Sequence, residues 1–274
     1  MGSVFSPYYA WARARSPLTE PENFCAINVA IYAPRKKLWT MTERGRAALR
    51  RDETHYVLGP SHLTWTGNAL RLEIDERTMP LPGRVRGHIE LTPNAMTGQP
   101  FALDAAGRHM WWPLAPSAHV KVSLEGPEWR WEGPGYLDRN WGSEPLEAAF
   151  ASWAWSRTHF GKKSVLFYDA QPRTGQPRSL ALCVDADGAV SHIAPPGATP
   201  LPRTAWRLDR VSRSETPARL VRSLEDTPFY ARASVESRWQ GERAIGMHEY
   251  LSLDRFSSRV VQAMLPFRMP RRGG

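Results

Sequence analysis

Two short segments of the chain concentrate side chains able to move protons. In Gly135-Tyr136-Leu137-Asp138-Arg139-Asn140-Trp141-Gly142, read as a strand end, the period of two puts Tyr136, Asp138 and Asn140 on one face. A phenol and a carboxyl then share a wall, with Leu137, Arg139 and Trp141 behind it. In Gly107-Arg108-His109-Met110-Trp111-Trp112-Pro113 an extended backbone puts His109 and Trp111 on one side. A carboxyl kept in an apolar aromatic pocket loses the solvation that favours its charge, so it can stay protonated and act as a general acid. Bland readings stand beside this one. Asp138 could cap a turn or pair with Arg139, a lone His is more often structural, and Trp111, Trp112, Trp129, Trp131 and Trp141 could simply fill a core.

The elements that must hold these groups are strands. Leu70, Leu72 and Ile74 alternate with Arg71, Glu73 and Asp75, and Val85, Ile89 and Leu91 alternate with Arg84, Arg86, His88 and Glu90. Val120, Val122 and Leu124 repeat the pattern, each run burying one face. Turn-formers such as Gly59-Pro60-Ser61, Pro82-Gly83, Gly126-Pro127 and Gly175-Gln176-Pro177 separate the segments. An antiparallel barrel or sandwich follows. Short helices are expected over residues 42–51 and 255–265. The second carries Val260, Val261, Met264 and Leu265 with Arg255 and Arg259, then a basic run through Arg271 and Arg272, a pattern suited to an interfacial anchor or to a docked tail. His248 and Glu249, within Gly246–Leu253, read as a satisfied structural pair. The Pro-rich stretch Ala194–Pro202 reads as a loop within a domain, and a domain boundary is placed near Pro145, giving units 1–145 and 146–274.

The chain of 274 residues is long enough for a sizeable core and for one or two domains. Its 36 Lys+Arg against 27 Asp+Glu give a net charge of +9, a field that favours anionic lipid or acidic partners. Nucleic acid is a weaker fit, because the charge is spread along the chain and no zinc-finger spacing occurs. Cys25 and Cys183 stand alone, without the grouping of a metal or redox site, so no metal is expected and the thiols are read as reduced. Met1–Ala10 lacks a basic region followed by an apolar core, and no apolar run approaches the ~18 residues of a spanning helix. A cytoplasmic protein, or one lying on the cytoplasmic face of a membrane, is expected.

A resemblance sharpens these expectations. The run Gly2-Ser3-Val4-Phe5-Ser6-Pro7-Tyr8-Tyr9, then Ile27-Asn28-Val29, Met41-Thr42-Glu43-Arg44-Gly45, Gly107–Pro113, Gly135–Gly142 and Leu253-Asp254-Arg255-Phe256 resemble, in order, the motifs of the carotenoid 1,2-hydratase (hydroxyneurosporene synthase) family. The likeness spans nearly the whole chain. It implies an all-β fold of two lipocalin-like antiparallel barrels, related to tocopherol cyclases, with the Gly-Tyr-x-Asp-x-x-x-Gly motif leading from the first barrel into the second. It also implies roles for His109, Trp111, Tyr136 and Asp138, whose types all match the family's; Trp112 and Trp141, aromatic residues of the same segments, are expected to bind substrate.

The implied reaction is cofactor-free addition of water across the terminal C1=C2 bond of an acyclic carotene such as lycopene or neurosporene. Asp138 would protonate C2, the tertiary cation at C1 would sit against the π faces of Trp111, Trp112 or Tyr136, and water held by His109 or Tyr136 would attack it. So apolar a polyene does not travel freely in water, which implies peripheral contact with the inner or an intracytoplasmic membrane. Two other readings share this pocket: a carotenoid carrier without chemistry, and another isoprenoid cyclase or isomerase of the superfamily.

Overall fold

The computed structural model describes residues 4–34 and 36–272; Gly2 and Ser3 of the N-terminal motif lie outside the described residues. Seven strands come first: β1 (Cys25–Tyr32), β2 (Lys37–Arg44), β3 (Leu49–Arg51), β4 (His55–Leu58), β5 (Ser61–Trp65), β6 (Leu70–Arg77) and β7 (Arg84–Pro93). Next are β8 (Phe101–Ala102), β9 (His109–Gly126), β10 (Glu128–Gly142), β11 (Phe150–Phe160), β12 (Lys163–Pro172), β13 (Arg178–Val184) and β14 (Val190–His192). The rest are β15 (Ala198–Pro200), β16 (Val211–Arg213), β17 (Arg219–Asp226), β18 (Tyr230–Trp239), β19 (Glu242–Ser252) and β20 (Arg271–Arg272). The α-helices are short: α1 (Pro7–Arg15), α2 (Leu146–Ala149), α3 (Leu253–Phe256) and α4 (Arg259–Met264). This is the all-β class that the alternating runs demand.

The chain divides into two compact units, Met1–Pro93 with Ala118–Gly135 and Gln262–Gly274, and Asn94–Ser117 with Tyr136–Val261. A single cut near Pro145 does not describe them. The long strands β9 and β10 begin or end in one unit and continue in the other, so each sequence half supplies pieces to both.

In the first unit the strands follow the order β10-β9-β7-β6-β5-β4-β3, and β1-β2-β20 form a second sheet. Ile74, Val85, Val122 and Leu124 make one buried cluster, the inward halves of three of the alternating runs. Cys25, Ile27, Leu49 and Leu58 make another. The expected helix over 42–51 is instead the end of β2, a 3-10 turn over Arg46–Ala48 and β3. Tertiary pairing overrides local propensity here. Arg44 is buried and grips Glu76 through two hydrogen bonds of 3.0 and 2.9 Å, and Ser61 donates to the same carboxylate at 2.8 Å. The sequence reading also passed over α1, which opens on Ser6 as N-cap with Pro7 at the first helical position.

In the second unit a seven-stranded sheet runs β14-β13-β12-β11-β19-β18-β17, accompanied by the ribbon β15–β16 that the Pro-rich stretch enters. On one face of the sheet Phe160, Val165, Phe167, Ala181 and Cys183 form a buried cluster. On the other face the register sets Tyr168 opposite Trp155, Trp155 opposite Glu249, and Glu249 opposite Arg232, a continuous row across four strands. The helix expected over 255–265 is split into α3 and α4. Ser257 and Ser258 interrupt it, and Ser257 turns its hydroxyl back onto the Leu253 carbonyl.

Candidate active site

Strands β9 and β10 bring Trp111, Tyr136 and Asp138 together within the second unit. One carboxylate oxygen, Asp138 Oδ2, accepts hydrogen bonds from Trp111 Nε1 at 3.0 Å and from Tyr136 Oη at 3.1 Å. Asn140 Nδ2 stands at 3.5 Å from the same oxygen. The alternation read from the sequence puts Tyr136, Asp138 and Asn140 on one face, and these bonds follow from it. Oδ1 receives no hydrogen bond among the described residues.

Aromatic rings surround this carboxyl. Trp111 is fully buried and packs against Tyr168, ring centroids 5.2 Å apart, and Phe101, 6.2 Å. Trp153 adds to Tyr168 at 5.6 Å, while Trp155 lies 5.1 Å from Tyr136. The Arg157 guanidinium sits over the Tyr136 ring at 5.2 Å. Asp138 itself keeps only partial exposure.

Burial pushes the Asp138 carboxyl above the ordinary carboxylate range, and the negative charge of Glu249 pushes the same way; the bonds from Trp111, Tyr136 and Asn140 oppose them without prevailing. Burial together with the Asp138 charge also raises the Tyr136 phenol well above its usual value, so it remains a proton donor in its hydrogen bond. Burial raises Tyr168 as well. Arg157 is lowered to about 10 by burial and remains a cation at neutral pH.

His109 is held elsewhere. Its Nδ1 meets Asp104 Oδ2 at 3.0 Å and its Nε2 meets the Glu144 carbonyl at 3.1 Å, so both ring nitrogens are engaged away from the Asp138 carboxyl. Asp104 further accepts from the backbone N–H groups of Ala106, Arg108 and His109. The motif glycine Gly142 belongs to this arrangement: a Cβ there would come within 2.6 Å of the His109 ring, so only glycine lets β10 pass. Trp112, next in the chain to Trp111, points to the other side of β9, where its Nε1 donates to Thr97 Oγ1 at 3.1 Å. Trp141 is exposed and carries the Arg139 guanidinium over its ring at 5.0 Å.

The sequence reading missed Tyr168, Trp153, Trp155 and Glu249 as neighbours of the carboxyl. Trp153 and Trp155 lie on β11, Tyr168 on β12 and Glu249 on β19, and only the register between those strands puts them on one face. His248 and Glu249 are not a pair. Adjacent on β19, they face opposite ways: His248 Nε2 donates to the Val211 carbonyl at 2.8 Å, whereas Glu249 binds Arg232 at 2.7 Å in the row with Trp155. Among the described residues no group of three or more His, Cys, Asp or Glu side chains could hold a metal ion.

Comparison with known proteins shows the family and the fold. The family described as carotenoid hydratase CrtC matches residues 1–274. An acyclic carotenoid 1,2-hydratase of Thiocapsa roseopersicina is 54% identical over 277 residues, covering 100% of this chain and 68% of that protein. The protein of the same description from Cereibacter sphaeroides is 42% identical over 277 residues, covering 100% of this chain and 97% of its own. Among solved structures, one described as an AttH protein from Nitrosomonas europaea superposes with a TM-score of 0.62 at 17% identity, over 86% of this chain and 83% of that one. That likeness shows the fold alone, and the fold is lipocalin-like.

Proposed function

Because the chain belongs to the carotenoid hydratase CrtC family, we propose that it adds water across the terminal C1=C2 bond of an acyclic carotene such as lycopene or neurosporene, by acid catalysis at Asp138 and with no cofactor. The observation that carries this reading is the Asp138 carboxyl set among aromatic rings, with donors on Oδ2 and, among the described residues, none on Oδ1.

The neutral donors on Oδ2, Trp111 and Tyr136 with the longer contact from Asn140, direct the proton of the resting acid to Oδ1, the oxygen left to face substrate. Transfer of that proton to C2 leaves a tertiary cation at C1. The faces of Trp111, Tyr168 or Trp155 stabilise such a cation by roughly 0.5–2 kcal/mol each. As the proton leaves, the Trp111 and Tyr136 hydrogen bonds strengthen against the forming carboxylate, so they act in the transition state more than at rest. Water adds to C1 and gives its proton to the Asp138 carboxylate, which restores the acid and balances the reaction.

In this scheme Trp111 and Tyr136 touch the acid and tune it, and His109 is a positioning residue that fixes the β8–β9 turn through Asp104 and Glu144. With both nitrogens engaged it is poorly placed to hold the attacking water. Trp112, tied to Thr97, contributes packing, and exposed Trp141 offers a surface for the outer polyene. The substrate is supplied from a membrane to which the protein attaches peripherally, on the cytoplasmic side of the inner or an intracytoplasmic membrane. The exposed side chains of Val260 and Phe267 favour such contact. No helix among the described residues is long and apolar enough to cross a membrane.

Incubating purified protein with lycopene in detergent and heavy-oxygen water tests the proposal. A pigment heavier by one labelled water, lost with Asp138→Asn while pigment binding persists, is the expected result. Unlabelled bound pigment would instead mark a carrier, and a product of unchanged mass a cyclase or isomerase.

A further inference from the structure

The first unit contains a cavity of about 140 Å³ whose lining includes Arg44, Arg77, Arg84, Arg272, Asp75 and Thr42. It belongs to a different unit from Asp138. Register builds it: Arg77 pairs across β6–β7 with Arg84, Arg272 pairs with Arg44 where β20 joins β2, and Thr42 lies two residues before Arg44 on the same face. Four guanidinium groups so close would repel one another unless acids offset them. Glu76 takes Arg44, and Asp75 takes Arg84. Arg77 and Arg272 have no acidic partner among the described residues, which leaves two exposed forks of N–H donors around a space large enough for a tetrahedral anion. Guanidinium forks match phosphate oxygens in geometry and charge.

The loop at the rim of this cavity is apolar where a loop is usually polar. Between Arg77 and Arg84 the β6–β7 turn presents Leu81, 78% exposed between Pro80 and Pro82. The turn is held in shape, with Thr78 N donating to the Gly83 carbonyl at 3.0 Å and Thr78 Oγ1 donating to the Leu81 carbonyl at 2.7 Å. An aliphatic tip flanked by arginines suits the boundary between acyl chains and headgroups, where the tip enters the apolar layer and the guanidinium groups stop at the phosphates.

We propose that this cavity binds the phosphate of an anionic lipid headgroup, with Leu81 inserted into the acyl boundary beside it. The inference rests on the membrane attachment proposed above and is independent of the chemistry at Asp138.

Sedimentation with vesicles of phosphatidylglycerol and phosphatidylcholine tests it on the full chain. Each basic residue near an anionic surface is worth roughly fivefold in binding, so Arg77→Gln with Arg272→Gln should weaken binding by about 20-fold or more. Neither residue holds an acidic partner, so an unchanged unfolding temperature is expected and confirms the fold. A control with Arg50→Gln and Arg130→Gln removes the same charge from exposed positions outside the cavity and should cost much less. Leu81→Ser should weaken binding to the same vesicles while leaving the site's affinity for inorganic phosphate unchanged. Equal losses in the two double variants would overturn the site while leaving membrane attachment standing. Failure of the unmodified protein to bind anionic vesicles would overturn both, and stabilisation by inorganic phosphate without vesicle binding would overturn the lipid assignment.

Discussion

Trp111→Phe isolates the hydrogen bond proposed to tune Asp138 as the acid. Phenylalanine keeps an aromatic ring against Tyr168 and Phe101 but deletes the indole N–H that reaches Asp138 Oδ2 at 3.0 Å. That bond favours the carboxylate, so its loss raises a carboxyl that burial already holds high. A hydrogen bond to a charged group contributes about 1.5–3 kcal/mol, and one pKa unit corresponds to about 1.4 kcal/mol, giving an upward shift of roughly one to two units. Because Asp138 is partly exposed and keeps its bond from Tyr136, the lower end, about one unit, is expected. On the proposed mechanism Asp138 works protonated, so kcat/KM should fall on the alkaline side, and in Trp111→Phe that limb should move to higher pH by this amount. The assay is hydration of lycopene in detergent across pH, with thermal unfolding measured in parallel. Tyr136→Phe removes the second donor and should move the limb in the same direction. A limb that stays fixed or moves to lower pH would refute the assignment of Asp138 as the acid tuned by these donors.

Other outcomes follow from the same geometry. Asp138 has a folded-state pKa above its unfolded value, so its contribution to stability is present below the unfolded pKa and is lost as pH rises through the folded one. Asp138→Asn should therefore raise the unfolding temperature at alkaline pH more than at pH 4 while abolishing hydration, as differential scanning calorimetry and product analysis would show. Gly142→Ala should push the His109 ring off its bonds to Asp104 and Glu144 and lower both stability and activity. Gly133→Ala, with nothing within 4 Å of the new Cβ, should spare activity in the same assay. Burial lowers the His248 imidazole from 6.5 to about 4, so the unfolded chain takes up its proton first and stability should fall as pH drops from about 6.5 to 4. The loss is at most about 3–4 kcal/mol, readable as an acid-side drop in urea-unfolding midpoints that His248→Asn removes.

Much of this molecule was written in local pattern. The inward Ile74, Val85, Val122 and Leu124 were legible as the apolar halves of alternating runs, and the Tyr136–Asp138 wall as a period of two. Side-chain alternation needs only the geometry of one strand. Local pattern misled where a contact distant in sequence outweighed it: residues 42–51 have helical composition, yet Arg44 is drawn into an extended strand by the buried carboxylate of Glu76, 32 residues away. The units interleave because β9 and β10 are long enough to serve both, which no composition shift marks.

Residue types and their spacing supplied the kinds of groups available: a carboxyl and a phenol two residues apart, an indole on a neighbouring segment, and glycines at Gly135 and Gly142. Tertiary structure decided which of them meet. Strand register, a property of pairing between segments, aimed Trp111 rather than Trp112 at Asp138, turned Glu249 toward the aromatic row and His248 away from it, and engaged both nitrogens of His109 elsewhere. A one-residue slip in pairing reverses every face, so alternation fixes that two sides exist, and only the folded sheet fixes which side faces the aromatic row.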